Sequence, residues 1–426
     1  MNQKETKKLG HIDIVQKYFY PVAAGIETSI LETYSILVKN GWDVTIHTSK
    51  DTLTEKNYLT DKDKIRGIEV KRYSYKWYGY FPDINWGMTN LVSLHNFNIV
   101  PHFYVFLKAL FLKITGKKNF ALVLTPHGGF NPDWSIFSPI QRTIKIVYHY
   151  TIGVLLINIC VDAVRTISRW EKTEMIKKGV NSKLIVVIDN GIESEAFEDV
   201  EIKASPEIKK IVEGLGNYII QVGRIHPIKN YETTIKAFET LTENIKFVIV
   251  GPEDDNSYKK YLQELIEKLG LQNRVIFMGV TRGIDKYYLM KKAKMMVHMA
   301  IWESFCNVVH EGLSQGLVCI VANNSALPYL IKDGFNGYCV ETRNYKEVAM
   351  KINFVFKNKD SELIRNMKKN SIAFGLKNSW EDVASNIHNL YKQLIDRSDK
   401  IRNKNIQKHN RISFYYEDKK LKDYHG

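Results

Sequence analysis

A chain of 426 residues is too long for one ordinary core and points to two domains of usual size. Apolar content of 44% with 25% charged residues describes a globular protein, and four scattered cysteines without a C-x-x-C pair exclude a zinc-finger or disulfide framework and fit a reducing cytosol. The net charge of +15 suits an anionic substrate, an anionic membrane surface or plain solvated lysines; no Arg/Lys stripe with interleaved aromatics stands out, which argues against nucleic acid.

The polar N-terminus runs into an apolar strand pattern at 11–16 with no signal-peptide core. A helical pattern over 28–39 stops at Asn40-Gly41. Further strands are expected at 43–48, 69–73, 121–126, 163–167 and 184–188. The D-K-D triplet at 61–63 has the look of a metal-binding D-x-D, but it sits in a polar stretch with no apolar strand before it, so solvated charge is expected. Over 102–118, Phe103, Phe106, Leu107, Leu110, Phe111 and Ile114 make one helical stripe followed by Lys117-Lys118. Trp77, Tyr78, Tyr80, Phe81 and Trp86 cluster just upstream. That combination suits either a core helix or a helix at a lipid interface. The apolar run 144–161 is interrupted by Lys145, His149 and Asn158 and reads as a buried helix, not a membrane span.

A polar stretch at 195–216 marks a composition shift and is expected as the interdomain linker. The strand pattern then restarts at 218–222, 246–250, 275–278, 295–298, 318–322 and 337–340. Two α/β halves of this kind imply doubly wound sheets with a ligand cleft at the strand carboxyl ends. The expected domains are 1–200, 201–385, and a C-terminal helix with a charged tail over 386–426, the helix crossing back to the first domain.

The segment W-E-S-F-C-N-V-V-H-E-G at 302–312 spaces Glu303 and Glu311 by eight positions after an apolar strand. On a helix starting at Ser304 the two would lie roughly 12 Å apart along the axis and about 80° apart around it. Free N–H groups at Phe305, Cys306 and Asn307 would then face an anion such as a diphosphate. Each carboxylate could accept the hydroxyls of a sugar diol. Gly223-Arg224 and Lys229 fall in a strand-to-helix loop, where Arg forks onto phosphate oxygens and Lys adds a point charge. Asn190-Gly191 either lines the cleft or is simple turn punctuation.

Five pieces in order, A-G-I-E-T at 24–28, P-H-G-G at 126–129, N-G-I-E at 190–193, V-G-R-x4-K at 222–229 and E-x7-E at 303–311, make the chain resemble the retaining nucleotide-sugar glycosyltransferases of family 4 (group 1), with the two-Rossmann GT-B fold. The resemblance runs from about residue 11 to 391. It implies transfer of a hexose from a nucleotide diphosphate sugar, UDP-linked before GDP-mannose, to a sugar acceptor in polysaccharide or lipid-linked glycan synthesis. It assigns catalytic roles to His127, Arg224, Lys229 and Glu303. Gly25, Gly223, Gly251, Val280, Phe305, Cys306, Asn307 and Glu311 join Arg224, Lys229 and Glu303 in holding the donor, and Asn190 stands on the acceptor side. Within it Arg224 and Lys229 hold the diphosphate, Glu311 takes the ribose hydroxyls, His127 meets the donor sugar, and Glu303 positions that sugar or serves as a nucleophile. No metal and no cofactor beyond the nucleotide sugar is expected, and no nucleic acid partner. The expected location is the cytoplasm, with contact at an anionic membrane face. Cys306 stands where the family commonly has glycine, Ala24 where it commonly has a second glycine, and Gly312 where it has alanine. A catalytically silent nucleotide-sugar-binding subunit of a glycan assembly complex is the competing reading.

Overall fold

The computed structural model describes residues 9–403 apart from 23, 53, 242 and 243, with side chains described up to 398. The charged tail beyond 403 lies outside the described residues. The chain divides into two compact units, one comprising Met1–Asp189 with Glu381–Gly426 and the other Asn190–Trp380.

The first unit is built on an eight-stranded sheet. Its strands are β1 (Gly10–Val15), β2 (Trp42–Ser49), β3 (Lys62–Ile65), β4 (Ile68–Tyr73), β5 (Leu91–His95), β6 (Ala121–Thr125), β7 (Ala163–Thr166) and β8 (Ile185–Val187). They lie in the order β3-β4-β2-β1-β5-β6-β7-β8, all pairs parallel except the β3–β4 edge. β5, β6 and β7 are buried at every position, as strands covered on both faces must be. The order reverses between β1 and β5, so the loops leaving those strands diverge and open a crevice at their carboxyl ends.

Two of these strands depart from the sequence expectation. β5 reads L-V-S-L-H, and Ser93 and His95 break its apolar run although both are buried. β3 takes up Lys62 and Asp63 of the D-K-D triplet as a short edge strand, with Asp61 just before it: Asp63 pairs with Arg72 at 3.2 Å and Asp61 with Lys50. Both carboxylates make ion pairs at the sheet edge and stay exposed to solvent, as a polar stretch without an apolar strand before it implies.

The helix Trp380–Asn403 joins the first unit's contacts beyond Trp380: Trp42 donates to His388 Nδ1 at 3.0 Å, and the Tyr391 hydroxyl lies 2.6 Å from that of Tyr34.

The second unit holds β9 (Tyr218–Val222), β10 (Lys246–Val250), β11 (Val275–Gly279), β12 (Met296–His298), β13 (Cys319–Ala322) and β14 (Gly337–Val340). All pairs are parallel, in the order β11-β10-β9-β12-β13-β14. Here the order reverses between β9 and β12, which sets the loops after those two strands side by side. The stretch expected as a linker is not one. It folds as helical turns at Ser194–Phe197, Val200–Lys203 and Pro206–Leu215, all within this unit. Ser205 caps the last of them and donates to Asp285 at 2.7 Å, and Glu201 pairs with Lys292, so its polar residues serve as caps and ion-pair partners.

The apolar run expected as a buried helix belongs to a longer helical segment, Pro139–Cys160, in which only about a third of the most apolar stretch is buried. It is long and apolar enough to cross a membrane by length and composition. A π turn at His149–Gly153 interrupts it.

Candidate functional site

The site in the second unit is assembled from the two loops at the β9/β12 reversal. The loop after β9 is tied down at several points. Gln221 Nε2 donates to the Lys229 carbonyl at 2.9 Å, Tyr231 OH to the Gly223 carbonyl at 2.7 Å, and Asn230 Nδ2 to the Met299 carbonyl at 2.8 Å. Gly223 N donates to Val250 O and Gly251 N to Gly279 O, both at 2.8 Å, so the three strand ends close on one another. A Cβ on Gly251 would overlap the Gly223 carbonyl, so only glycine fits there.

From this anchored loop Lys229 reaches Glu303, with Nζ 2.5 Å from Oε1. His298, buried at the end of β12, places Nε2 2.9 Å from the same oxygen. Burial alone would raise the Glu303 carboxyl, but Lys229 and then His298 outweigh it and hold the group at about 2. Glu303 is thus a fixed carboxylate. Its own N–H donates to Ser325 Oγ at 2.9 Å, which clamps the loop that carries it. Arg224 pairs with Asp254 at the more exposed side of the loop.

Glu311 forms a second centre. Lys286 Nζ lies 3.0 Å from Glu311 and 2.9 Å from Glu193, one ammonium between two carboxylates. Burial would lower the lysine, yet Glu311 and Glu193 together raise it, so it stays charged. Glu311 itself is pushed upward, by burial first and by the like charge of Glu193, against the pull of Lys286.

The helix between the two acids does not start where the spacing suggests. It spans Asn307–Ser314, and Cys306 before it sits in the left-handed region at φ 81°. Glu303 therefore belongs to a loop, and the helical estimate of its offset from Glu311 does not apply. The leading N–H groups are those of Asn307 and Val308, not Phe305. Phe305 is buried edge-on against His310, and the Cys306 thiol is buried as well. Asn190, expected on the acceptor side, falls in the second unit and donates to Asn307 Oδ1 at 3.1 Å. Val280 stands exposed just past β11.

His298, Ser325, Lys286 and Glu193 were not anticipated. A histidine closing an apolar strand five residues before Glu303 was a usable signal; Lys286, in an ordinary helix, offered none.

The side-chain ligand atoms of His298, Glu303 and Cys306 come within 4.8 Å of one another, a spacing that a metal ion could use. Lys229 already supplies the positive charge to Glu303 at that point.

The first unit carries the other two predicted residues. Gly25 opens the helix Gly25–Lys39 at the end of the β1 loop, exposed and with open space where a side chain would stand. His127 follows β6 with φ 50°, and its Nε2 lies 2.9 Å from His95 Nδ1. Burial, and then the nearby Arg165, depress the His127 pKa well below that of free imidazole. Gly128 N donates to Glu171, and a Cβ on Gly129 would overlap Asn96, which fixes the loop.

Residues 23–196 match the model for Glycosyltransferase Family 4, and residues 204–374 match that for Glycosyl transferases group 1. The chain belongs to the group 1 glycosyltransferases. It is 30% identical over 178 residues to an uncharacterized glycosyltransferase of Methanocaldococcus jannaschii, covering 41% of this chain and 44% of that one. It is 26% identical over 258 residues to UDP-Gal:alpha-D-GlcNAc-diphosphoundecaprenol alpha-1,3-galactosyltransferase of Escherichia coli, covering 58% and 62%. These matches span less than two thirds of either relative's length. The structure of Anabaena HepE in complex with UDP superposes with a TM-score of 0.70 at 19% identity, over 90% of this chain and all of that one. The group 1 member described here has the GT-B fold.

Proposed function

We propose that this chain is a retaining, metal-independent glycosyltransferase that moves a hexose from a nucleotide diphosphate sugar to a sugar acceptor in polysaccharide or lipid-linked glycan synthesis. The observation that carries the reading is the pairing of Lys229 with Glu303, on the loops set side by side by the strand-order reversal, together with the Lys286–Glu311 centre on the helices Gly283–Lys292 and Asn307–Ser314. Lys229 and Arg224 take the diphosphate and stabilise it as it leaves, which is electrostatic catalysis by fixed charge. The leading N–H groups at Asn307 and Val308 add to that field. Glu311 accepts the ribose hydroxyls, and Glu303, held ionised, orients the transferred sugar. UDP is favoured over GDP, in keeping with the UDP bound by HepE and the UDP-galactose used by the E. coli relative. The acceptor is a growing or lipid-linked glycan, met at the cytoplasmic face of an anionic membrane.

The test is thermal stabilisation by a panel of nucleoside diphosphates and their sugars, on wild type and Glu311→Ala. Lys286 keeps Glu193 in that variant, so the fold should survive. A ligand at about 100 times its Kd adds roughly 2.7 kcal/mol. One base that stands out, with its effect lost in the variant, supports the reading. No response to any nucleotide overturns it.

A further inference from the structure

The first unit presents an apolar face that its own core does not use. In the helix His102–Ile114, Val105, Phe106 and Ala109 turn inward, while Leu107, Phe111 and Ile114 stand outward, Ile114 at 76% exposure. Next to it lies the segment Pro139–Cys160: Phe103 and Tyr148 rings are 6.2 Å apart, and Lys113 donates to the Ile159 carbonyl at 2.6 Å. That segment has Tyr148, His149, Leu156, Ile157 and Cys160 buried, with Ile140, Ile144, Val147, Ile152 and Leu155 outward.

The outward residues form one stripe because of the π turn. At about 100° per residue, Ile140, Ile144 and Val147 fall within roughly 60° of one another. A regular helix would carry Ile152 off that face. The extra residue of the π turn at His149–Gly153 brings Ile152 and Leu155 back onto it.

Charge is as lopsided as hydropathy. From Ile84 to Val161 the basic residues are Lys108, Lys113, Lys117, Lys118, Arg142 and Lys145, and the acidic ones are Asp133 alone. Lys118 is paired with Asp162; the others flank the apolar stripes. Contiguous exposed apolar surface marks an interaction site, and a rim of cations around it selects an anionic partner.

We infer that the outward stripes of His102–Ile114 and Pro139–Cys160 form one docking face for an anionic lipid bilayer, lying in the headgroup plane. The inference rests on the proposed function and deepens it, because it names the face of the first unit by which the chain reaches the membrane that holds a lipid-linked acceptor.

The experiment is flotation of the full chain with vesicles of phosphatidylcholine alone or mixed with phosphatidylglycerol. UDP-induced thermal stabilisation is measured on the same samples. Wild type should float with the anionic vesicles and release as salt rises. Ile140→Ser/Ile144→Ser/Leu155→Ser should weaken partition roughly tenfold or more, with UDP stabilisation unchanged. Lys108→Glu/Lys117→Glu, which leaves the apolar stripe intact, should weaken binding to anionic vesicles alone. Wild type that fails to float, or variants that float as well as wild type, overturn the docking face while UDP stabilisation leaves the transferase reading standing. A concentration-dependent dimer abolished by the triple variant, without flotation, assigns the face to a second copy and also overturns it. Flotation without any nucleotide response keeps the docking face and sinks the transferase reading.

Discussion

His127 Nε2 lies 2.9 Å from His95 Nδ1, and the two buried rings stack with centroids 5.1 Å apart. Burial keeps both imidazoles neutral, so each ring carries one N–H and a single proton lies in the hydrogen bond between them. His95 Nε2 in turn sits 3.0 Å from Tyr34 OH and 3.1 Å from Ser93 Oγ, and Tyr34 OH lies 2.6 Å from Tyr391 OH. Two hydroxyls lie within hydrogen-bond distance of that nitrogen, and with either of them donating to it Nδ1–H is left to donate to His127. His127 then presents its own Nδ1–H.

His95→Leu removes the donor that sets this tautomer. Transfer should fall by about tenfold or more, as expected when a reacting group loses its orientation. UDP-induced stabilisation should not change, because the nucleotide is assigned to the other unit. Equal losses in both readouts would count against a positioning role for His95.

Acidification should destabilise the protein between pH 6.5 and 5. His95, His102, His127, His149, His298 and His310 are buried with lowered pKa values, about 4 for His102, His149 and His310. The unfolded chain takes up protons near 6.5 that the folded one refuses. Stability is therefore complete above that value and is lost as pH falls. At pH 5 each strongly depressed imidazole costs about 2 kcal/mol. Glu171, raised to about 7, Asp189, raised to about 6, Glu311 and His11 act in the opposite sense. They offset part of the loss but are outnumbered. Melting at pH 5 several degrees below that at pH 7 is the expected result; a flat profile would refute it.

Much of the fold was legible because buried parallel strands are unbroken apolar runs. Ile219, Ile220, Phe247, Val248 and Ile249 announce β9 and β10 directly. β5 was missed because Ser93 and His95 are buried for the hydroxyl–imidazole network, not for apolar packing. The charged residues Lys229, Glu303 and Glu311 were readable by motif, whereas Lys286 was not, since its partners Glu193 and Glu311 come from distant sequence; His298, five residues before Glu303, carried a signal that went unread. Periodicity gave a stripe over 102–118 whose members the fold divides, Phe106 inward and Leu107, Phe111 and Ile114 outward. The run 144–161, read as a buried helix, leaves Ile144, Val147, Ile152 and Leu155 outward. Only the fold decides which side faces the core.

Lys286 sits between Glu311 and Glu193, so Lys286→Met leaves the buried Glu311 carboxylate facing the half-buried one of Glu193. Removing one partner of a buried charged group typically costs about 3 kcal/mol or more. Adding Glu193→Gln removes one of the like charges and should recover part of that loss. Urea melts of the single and double variants check this; a double variant no more stable than the single one would show that the lysine acts through packing on Tyr287 instead, 4.8 Å from the ring centroid.

Cys306 holds φ 81° and ψ 72°, a conformation that costs a residue with a Cβ roughly 1–2 kcal/mol and glycine nothing. This explains why glycine is expected at that point: the chain must turn sharply between the loop bearing Glu303 and the helix bearing Glu311. Cys306→Gly relieves the backbone but gives up a buried thiol and loosens the unfolded chain by about 0.4–1 kcal/mol. The terms nearly cancel, so stability should stay within about 1 kcal/mol of wild type, with nucleotide stabilisation kept. Cys306→Val offers no such relief, since a β-branched side chain fits that region worst. It should lose about 2 kcal/mol or more, and nucleotide binding with it, as the loop shifts Glu303 away from Lys229. Denaturant melts of both variants with and without UDP would decide; equal losses from glycine and valine would show that the thiol's packing, not the turn, governs this position.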